Sequence, residues 1–422
     1  MSEKLIKEKE LSNESSGLNY IEIDNDFIKK KIKEKEEKLK NNEVLNHNLF
    51  KLSDFDMEII KQVPQGGDWR CLSKETISKS KRLTKINKTG GRTTFYGRMR
   101  DDKPSYTLTT YFNRPGSGCH IHPKKDRVIS SREAARIQSF PDDFYFVGSQ
   151  RDICTQIGNA VPPLFAEQLG LSIKEKINVE KSIDLFCGCG GFNIGFEKSG
   201  IHSCLSTDIN FKACATLKTN RPNLSILNGD ITKEEIQNEI IRVGKEKNID
   251  IICGGPPCQG FSVIGKREDN DNRNELFLYY SKIVKNLKPK IIVFENVMGI
   301  LSHKNGESFN AIVETFKNIG YNICMKKICM EEYGVPQKRK RVIIIGARED
   351  LNINPEELFP KPITKKIEKQ TSIEATLLDL INVDFVNPIN IYKINKEKKY
   401  ISPYILYLQN ELTYQQFKRL IL

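Results

Sequence analysis

No run of apolar residues in this sequence approaches the roughly 20 needed to span a bilayer, and the first residues are polar rather than leader-like. A soluble, cytoplasmic protein with no membrane partner is therefore expected. Paired CxxC spacings are missing, and none of the 5 histidines stands in HxxxH spacing. The 11 cysteines are an odd number scattered through apolar runs, which argues against a disulfide framework and for reduced thiols. Cys187 and Cys189 lack the second pair that a zinc site needs, so no metal is expected. A Gly-Lys-Ser/Thr phosphate loop is absent too, which argues against ATP as a cofactor.

What the chain has in excess is positive charge, 67 Lys and Arg against 54 Asp and Glu, a formal net charge of +13. That balance suits a polyanionic partner, although Lys, Asn and Ile are frequent throughout and such a bias raises charge without purpose. A length of 422 residues accommodates two domains. Residues 1–44 are too rich in Lys, Glu, Asn and Ser to bury much apolar surface and are expected to form a flexible charged arm. Over 45–123 the chain is broken by Gly and Pro, as in Pro64-Gln65-Gly66-Gly67 and Asn113-Arg114-Pro115-Gly116, with one strand expected at 107–111. Ser130-Ser131-Arg132-Glu133 is the signature of a capping box opening a helix, which Pro141 stops.

Between 182 and 347 apolar strands alternate with amphipathic helices. Strands are expected at 182–186, 203–207, 225–227, 249–253, 291–294, 322–327 and 341–345, giving an α/β fold with a mostly parallel sheet covered on both faces. Ligands of such sheets bind beyond the carboxyl ends of the strands, so the residues that follow each strand matter most. After the first strand comes Phe186-Cys187-Gly188-Cys189-Gly190-Gly191, whose glycines let backbone approach a ligand; Asn193 breaks the GxGxxG dinucleotide pattern. Asp208 ends the second strand, where a carboxylate can meet ribose hydroxyls, and Asp230 follows the third, where it can meet an adenine amine. Three successive strand ends thus describe a cofactor that carries a nucleoside.

The fourth strand end leads into Gly254-Gly255-Pro256-Pro257-Cys258-Gln259. Two prolines fix φ and remove two donors, so Cys258 is mounted like a nucleophile rather than a core thiol. Glu295 closes the apolar fifth strand, partly desolvated and suited to hold or donate a proton; the plainer alternative is a helix cap or structural ion pair. A nucleophile and a proton donor on neighbouring strand ends is a rarer combination than either alone.

These motifs, together with Glu295-Asn296-Val297, Gln337-Lys338-Arg339-Lys340-Arg341, the stretch 131–142 and Gln156-Ile157-Gly158-Asn159-Ala160-Val161-Pro162-Pro163, closely resemble those of the cytosine C5 DNA methyltransferases. The resemblance covers most of 45–361. Its order is unusual, because the motif that ordinarily comes last precedes the glycine turn, as in a circularly permuted chain whose old ends are joined through 163–176.

The resemblance implies a Rossmann-like methyltransferase sheet at 151–350, a smaller target-recognition domain at 45–150 and a C-terminal segment at 351–422 returning to it. It implies S-adenosyl-L-methionine held by Phe186, Gly188, Gly190, Gly191, Asp208, Asp230, Leu276, Asn159 and Val161. Asp208 is shorter than the Glu more usual there. It further implies that Cys258 attacks C6 of cytosine, that Glu295 holds N3 and the exocyclic amine, that Arg341 contacts O2 and that Arg339 orders the pocket. The partner would be double-stranded DNA with the target base flipped out. Arg92, Arg98, Arg100 and Arg114, on loops beside tyrosines, are candidates to contact it. A monomer is expected, serving a restriction-modification system without stable association with its endonuclease. A tRNA cytosine methyltransferase and a non-catalytic DNA-binding remnant are the alternatives.

Overall fold

Alternation of side chains along the apolar runs sends one set to each face of a seven-stranded sheet. The computed structural model describes residues 25–91, 94–256, 276–363, 371–380 and 402–421. The strands are β1 (Lys181–Leu185), β2 (His202–Asp208), β3 (Ile226–Asn228), β4 (Ile251–Gly254), β5 (Ile291–Val297), β6 (Tyr321–Cys329) and β7 (Lys340–Arg348). Their spatial order is β3-β2-β1-β4-β5-β7-β6. The first five run parallel, whereas β7 is inserted antiparallel to both β5 and β6. All seven expected strands are present, several longer by a few residues.

Twelve helices of the described residues precede or punctuate this sheet: α1 (Asn25–Lys40), α2 (Asp54–Gln62), α3 (Lys74–Ser78), α4 (Lys81–Thr89), α5 (Ser131–Ile137), α6 (Gln150–Asn159), α7 (Pro163–Lys176), α8 (Gly191–Lys198), α9 (Phe211–Asn220), α10 (Glu234–Lys247), α11 (Leu276–Leu287) and α12 (Glu307–Asn318). Ile251, Cys253, Ile291, Val293, Ile343 and Ile345 share one core with α7 and α8. Their neighbours Ile252, Ile292, Phe294, Val342 and Ile344 share the other with α10, α11 and α12. Full burial of one such Val or Ile is worth about 1.5–3 kcal/mol, so a strand apolar on both sides belongs at the centre of a doubly wound sheet.

Elsewhere the structure corrects the expectations. Loops and turns make up just over half of the described residues at 45–123, as expected, but three helices interrupt them: Ser53, Ser73 and Ser80 cap α2, α3 and α4, each accepting a hydrogen bond from a backbone amide of the first turn. The strand expected at 107–111 is displaced to Ser105–Tyr106, which pairs in parallel with Gln337–Lys338. Beyond it, Leu108 N–H turns to the Gln337 Oε1 (2.9 Å) instead of a strand partner.

Residues 25–40 of the charged arm are a docked helix. Phe27, Ile28, Ile32 and Leu39 pack against Phe211, Cys214, Ala215, Tyr145 and Val147, burying one narrow stripe of an otherwise solvated helix. The Lys35 ammonium adds a bond to Asn220 Oδ1 at 3.1 Å.

The C-terminal segment divides. Ile373–Leu377 reaches the small module, with Glu374 N–H bonded to Asp101 O at 2.8 Å. Pro403–Leu408 and Tyr414–Ile421 instead pack on the sheet domain, where Tyr404, Tyr407, Leu408 and Phe417 join Phe165 of α7 in one core.

The capping box of α5 sits in a buried polar cluster. Ser130 Oγ accepts from Glu133 N (3.1 Å), Ser130 N donates to Glu133 Oε2 (2.7 Å), and Arg127 grips the same carboxylate with two bonds of 2.7 Å. Burial alone would raise the Glu133 carboxyl, but the Arg127 guanidinium holds it well below the usual range. Around it His47, His120 and His122 are each pushed down to about 4 by burial. His122 Nδ1 accepts from Lys124 N and Lys125 N at 3.0 and 3.1 Å, so that nitrogen carries no proton.

The unfolded chain therefore binds these protons first. Stability from each histidine is fully present above about pH 6.5 and is lost as pH falls toward 4, at up to about 1.4 kcal/mol per pH unit. The urea midpoint is expected to drop between pH 7 and pH 5. His47→Gln, which keeps a polar group near Ser130 but cannot titrate, is expected to make that drop shallower.

Candidate active site

The turn after β1 runs through left-handed backbone: Phe186, Gly188 and Gly190 have φ of 58°, 53° and 93°, a conformation the two glycines adopt freely and Phe186 only at a steric cost. Gly191 then opens α8, and a Cβ added there would lie 2.1 Å from the carbonyl oxygen of Val161. No side chain fits, so this contact requires glycine. The Cys189 thiol, 3.6 Å from Gln156 O, ties the same turn to α6. Asn159 is exposed and Val161 buried, and both belong to the stretch that lines the turn.

Asp208 supports the turn from β2. Its Oδ2 accepts from Gly188 N and its Oδ1 from Asn210 N, each at 2.8 Å. Burial pushes its carboxyl up against the backbone amides that donate to it. Asp230, after β3, accepts from Thr232 N at 2.9 Å, and Leu276 begins α11, half-buried. Beneath the turn lies a group missed in the sequence. Asp184 is buried, its carboxyl is pushed up to about 8 by burial, and one of its oxygens has no partner among the described residues. Its signal was an acid inside an apolar strand.

Across the sheet, Gly254, Gly255 and Pro256 leave β4 beside β5. A Cβ on Gly255 would lie 2.8 Å from Glu295 Oε2, and Asn296 Nδ2 donates to Pro256 O at 3.4 Å. Cys258 lies outside the described residues. Glu295, 8% exposed, accepts from Arg341 Nε at 2.9 Å. The pair is diagonal in the β5–β7 register, where Ile343 faces Glu295 and Arg341 faces Val297, so both side chains stand on one face. Burial pushes the Arg341 guanidinium down, and Glu295 opposes that shift. Because β7 is antiparallel, its start lies at the sheet edge where β1, β2, β4 and β5 end. Arg339, buried in the same approach, donates to Gly158 O (3.1 Å) and Asn159 O (3.4 Å).

The family model described as C-5 cytosine-specific DNA methylase matches residues 2–175 and 180–417. The chain belongs to that family. Type II methyltransferase M.DdeI of Desulfomicrobium norvegicum is 42% identical over 202 residues, 47% of this chain and 48% of that protein. Type II methyltransferase M.XorII of Xanthomonas oryzae pv. oryzae is 41% identical over 185 residues, 43% and 42% of the two chains. A solved structure of a Spodoptera frugiperda DNMT2 mutant is 31% identical, covering 41% of this chain and 51% of that one at a TM-score of 0.34. The chain spans about half the length of the curated relatives it matches.

Of the four arginines expected to face nucleic acid, one is otherwise employed. Arg98 is buried and donates to Val63 O, His122 O, Lys125 O, Ile60 O and Asp126 Oδ1 at 2.7–3.0 Å. It is a structural staple, and the expectation that it contacts DNA is corrected. Arg98→Ala is expected to cost about 3–5 kcal/mol in denaturant unfolding, because the buried carbonyls of Ile60, Val63 and His122 lose the donor they share. Arg100 is exposed and pairs with Asp102 at 2.7 Å, so Arg100→Ala should leave the unfolding midpoint almost unchanged. Arg114 is exposed with its guanidinium 5.6 Å from the centre of the Tyr111 ring, and Arg92 lies outside the described residues.

Among the described residues no cluster of three or more His, Cys, Asp or Glu is arranged to hold a metal, and no helix is long and apolar enough to cross a membrane. The ten described cysteines are free thiols.

Proposed function

We propose that this chain is a DNA (cytosine-5-)-methyltransferase of a restriction-modification system, using S-adenosyl-L-methionine. The observation that carries the reading is the Glu295–Arg341 pair standing beside the outgoing β4 loop, at the same sheet edge as the glycine turn. The residues fit the cofactor. A Cβ on Gly188 would meet nothing within 4 Å, which leaves open space at the turn, and Ile209, directly after Asp208, is 69% exposed and offers an apolar surface to a base.

Phe186, Gly188, Gly190, Gly191, Asn159 and Val161 would line its methionine side, and Asp208, Asp230 and Leu276 its nucleoside. When bound, it supplies the methyl group as an electrophile. The remaining chemistry belongs to the chain. C5 of cytosine is a poor nucleophile until Cys258 thiolate adds to C6 and Glu295 gives N3 a proton, which converts the ring to an enamine. Arg341, held by Glu295, would meet the base O2. After methylation the C5 proton leaves to a base and the carbon–sulfur bond breaks.

The target must leave the duplex to reach this edge, and the 45–150 module would supply compensating contacts through Arg100, Arg114 and Arg92. A catalytic domain at 151–350, with 351–422 as the closing segment, completes the division. Circular permutation is part of the reading. The family match is interrupted between residues 175 and 180, where α7 gives way to β1. There α7 already packs on α8, since a Cβ on Gly195 would lie 2.5 Å from that of Ala166.

Bisulfite sequencing of DNA from cells expressing the chain alone tests the reading. Protected cytosines in one sequence context, absent with Cys258→Ala, are expected. Methylated tRNA with unmodified DNA would replace the substrate, and neither product would leave a binding remnant.

A further inference from the structure

Helix α6 ends without a stopping motif of its own. Ala160 is extended and Pro162 and Pro163 follow, so the last carbonyls lack the backbone amides that usually close a helix. Side chains from two distant places close it instead. The Gln138 amide nitrogen donates to Ile157 O at 3.0 Å and to Ala160 O at 2.7 Å. Arg339 donates to Gly158 O and Asn159 O at 3.1 and 3.4 Å. Four successive carbonyls are thereby held.

The two grips are joined. The Gln337 amide donates to Gln138 Oε1, and its own Oε1 accepts from Leu108 N at 2.9 Å. Gln138, Gln337 and Arg339 are each 1% exposed or less. Among the described residues the hydrogen bonds of the Arg339 side chain go only to those carbonyls, so the partial negative charge of a helix C-terminus stands where a carboxylate would otherwise be needed.

The position of this closure gives it a consequence. The held carbonyls run directly into Val161, whose oxygen packs on Gly191 at the glycine turn. Two residues beyond Arg339, Arg341 bonds Glu295. We infer that Gln138, Gln337 and Arg339 form a clamp that fixes the Asn159-Ala160-Val161 wall of the cofactor site in register with the Glu295–Arg341 pair. Gln138 and Arg339 are then positioning residues for cofactor binding, and Arg339 does not touch the base. The inference rests on the methyltransferase reading above.

Calorimetric titration of the full chain with S-adenosylhomocysteine, without DNA, tests it. Gln138→Met keeps the size of the side chain but removes its donors; Arg339→Met does the same at the other grip, and Arg339→Lys restores a charge at the helix end. Each Met variant is expected to bind about ten-fold more weakly than the unaltered chain, equivalent to about 1.4 kcal/mol, with a cooperative melting transition retained. Arg339→Lys is expected to recover at least about three-fold of the loss. A folded Met variant that binds within about two-fold of the unaltered chain would overturn the clamp. If one Met variant does not melt cooperatively, the other decides by the same criterion. Failure of the unaltered chain to bind would instead remove the functional reading beneath it.

Discussion

Replacing Cys258 with alanine is expected to abolish methyl transfer, lowering turnover by about 10⁴-fold or more, with the sheet intact by circular dichroism. The size follows from the chemistry. C5 lies in an electron-poor aromatic ring, and no hydrogen bond alone makes it attack an alkyl carbon; sulfur at C6 removes the aromaticity that opposes the reaction. Serine should recover little, because its hydroxyl is almost wholly protonated at neutral pH where a thiol is a few per cent thiolate. Initial rates of transfer of labelled methyl to DNA, measured at saturating cofactor, give the comparison directly.

Glu295→Gln is expected to lower turnover by about 10²–10⁴-fold with little change in fold. Glutamine still offers an oxygen to Arg341 but has no acidic proton for N3, so the loss falls on the chemical step. Glu295→Leu differs in kind. It leaves Arg341, whose side chain is 14% exposed, without the oxygen now 2.9 Å from its Nε. Breaking a buried pair in this way costs about 3–5 kcal/mol, so this variant should lose stability as well as activity. Denaturant unfolding beside steady-state rates separates the two effects: Gln moves only the rate, Leu moves both.

The sheet was largely legible because its strands are apolar on both faces. Ile291-Ile292-Val293-Phe294 cannot be satisfied by a half-solvated sheet, although Glu295, expected to close the strand, lies two residues inside its end. Glu295 and the glycine turn were visible for the same reason, since the strand ends of such a sheet are known before its packing is. The clamp was not visible. It joins residues 138, 337 and 339 to carbonyls at 157–160, and no local pattern announces which side chains will close a helix whose own sequence does not.

Arg98 was misread because Gly97 beside it looked like a solvent loop, whereas the glycine is there to let Cys119 approach: a Cβ on Gly97 would lie 2.9 Å from that of Cys119. The docking of α1 was hidden by composition. Phe27, Ile28, Ile32 and Leu39 are few among many lysines, but they lie on one side, and α9 presents the surface that covers them.

The central claim is covalent: a sulfur of this chain joined to C6 of a cytosine during turnover. The direct measurement uses duplex DNA of mixed sequence with cytosine replaced by 5-fluorocytosine, incubated with the chain and S-adenosyl-L-methionine, then denatured and run on a gel. Fluorine at C5 cannot leave as a proton does, so elimination of the sulfur is blocked after methyl transfer. The account predicts a protein–DNA adduct that survives denaturation, mapping to Cys258 by peptide mass and missing from Cys258→Ala. An adduct of equal yield in Cys258→Ala, or methylated cytosine from the unaltered chain with no adduct on the fluorinated duplex, would contradict it.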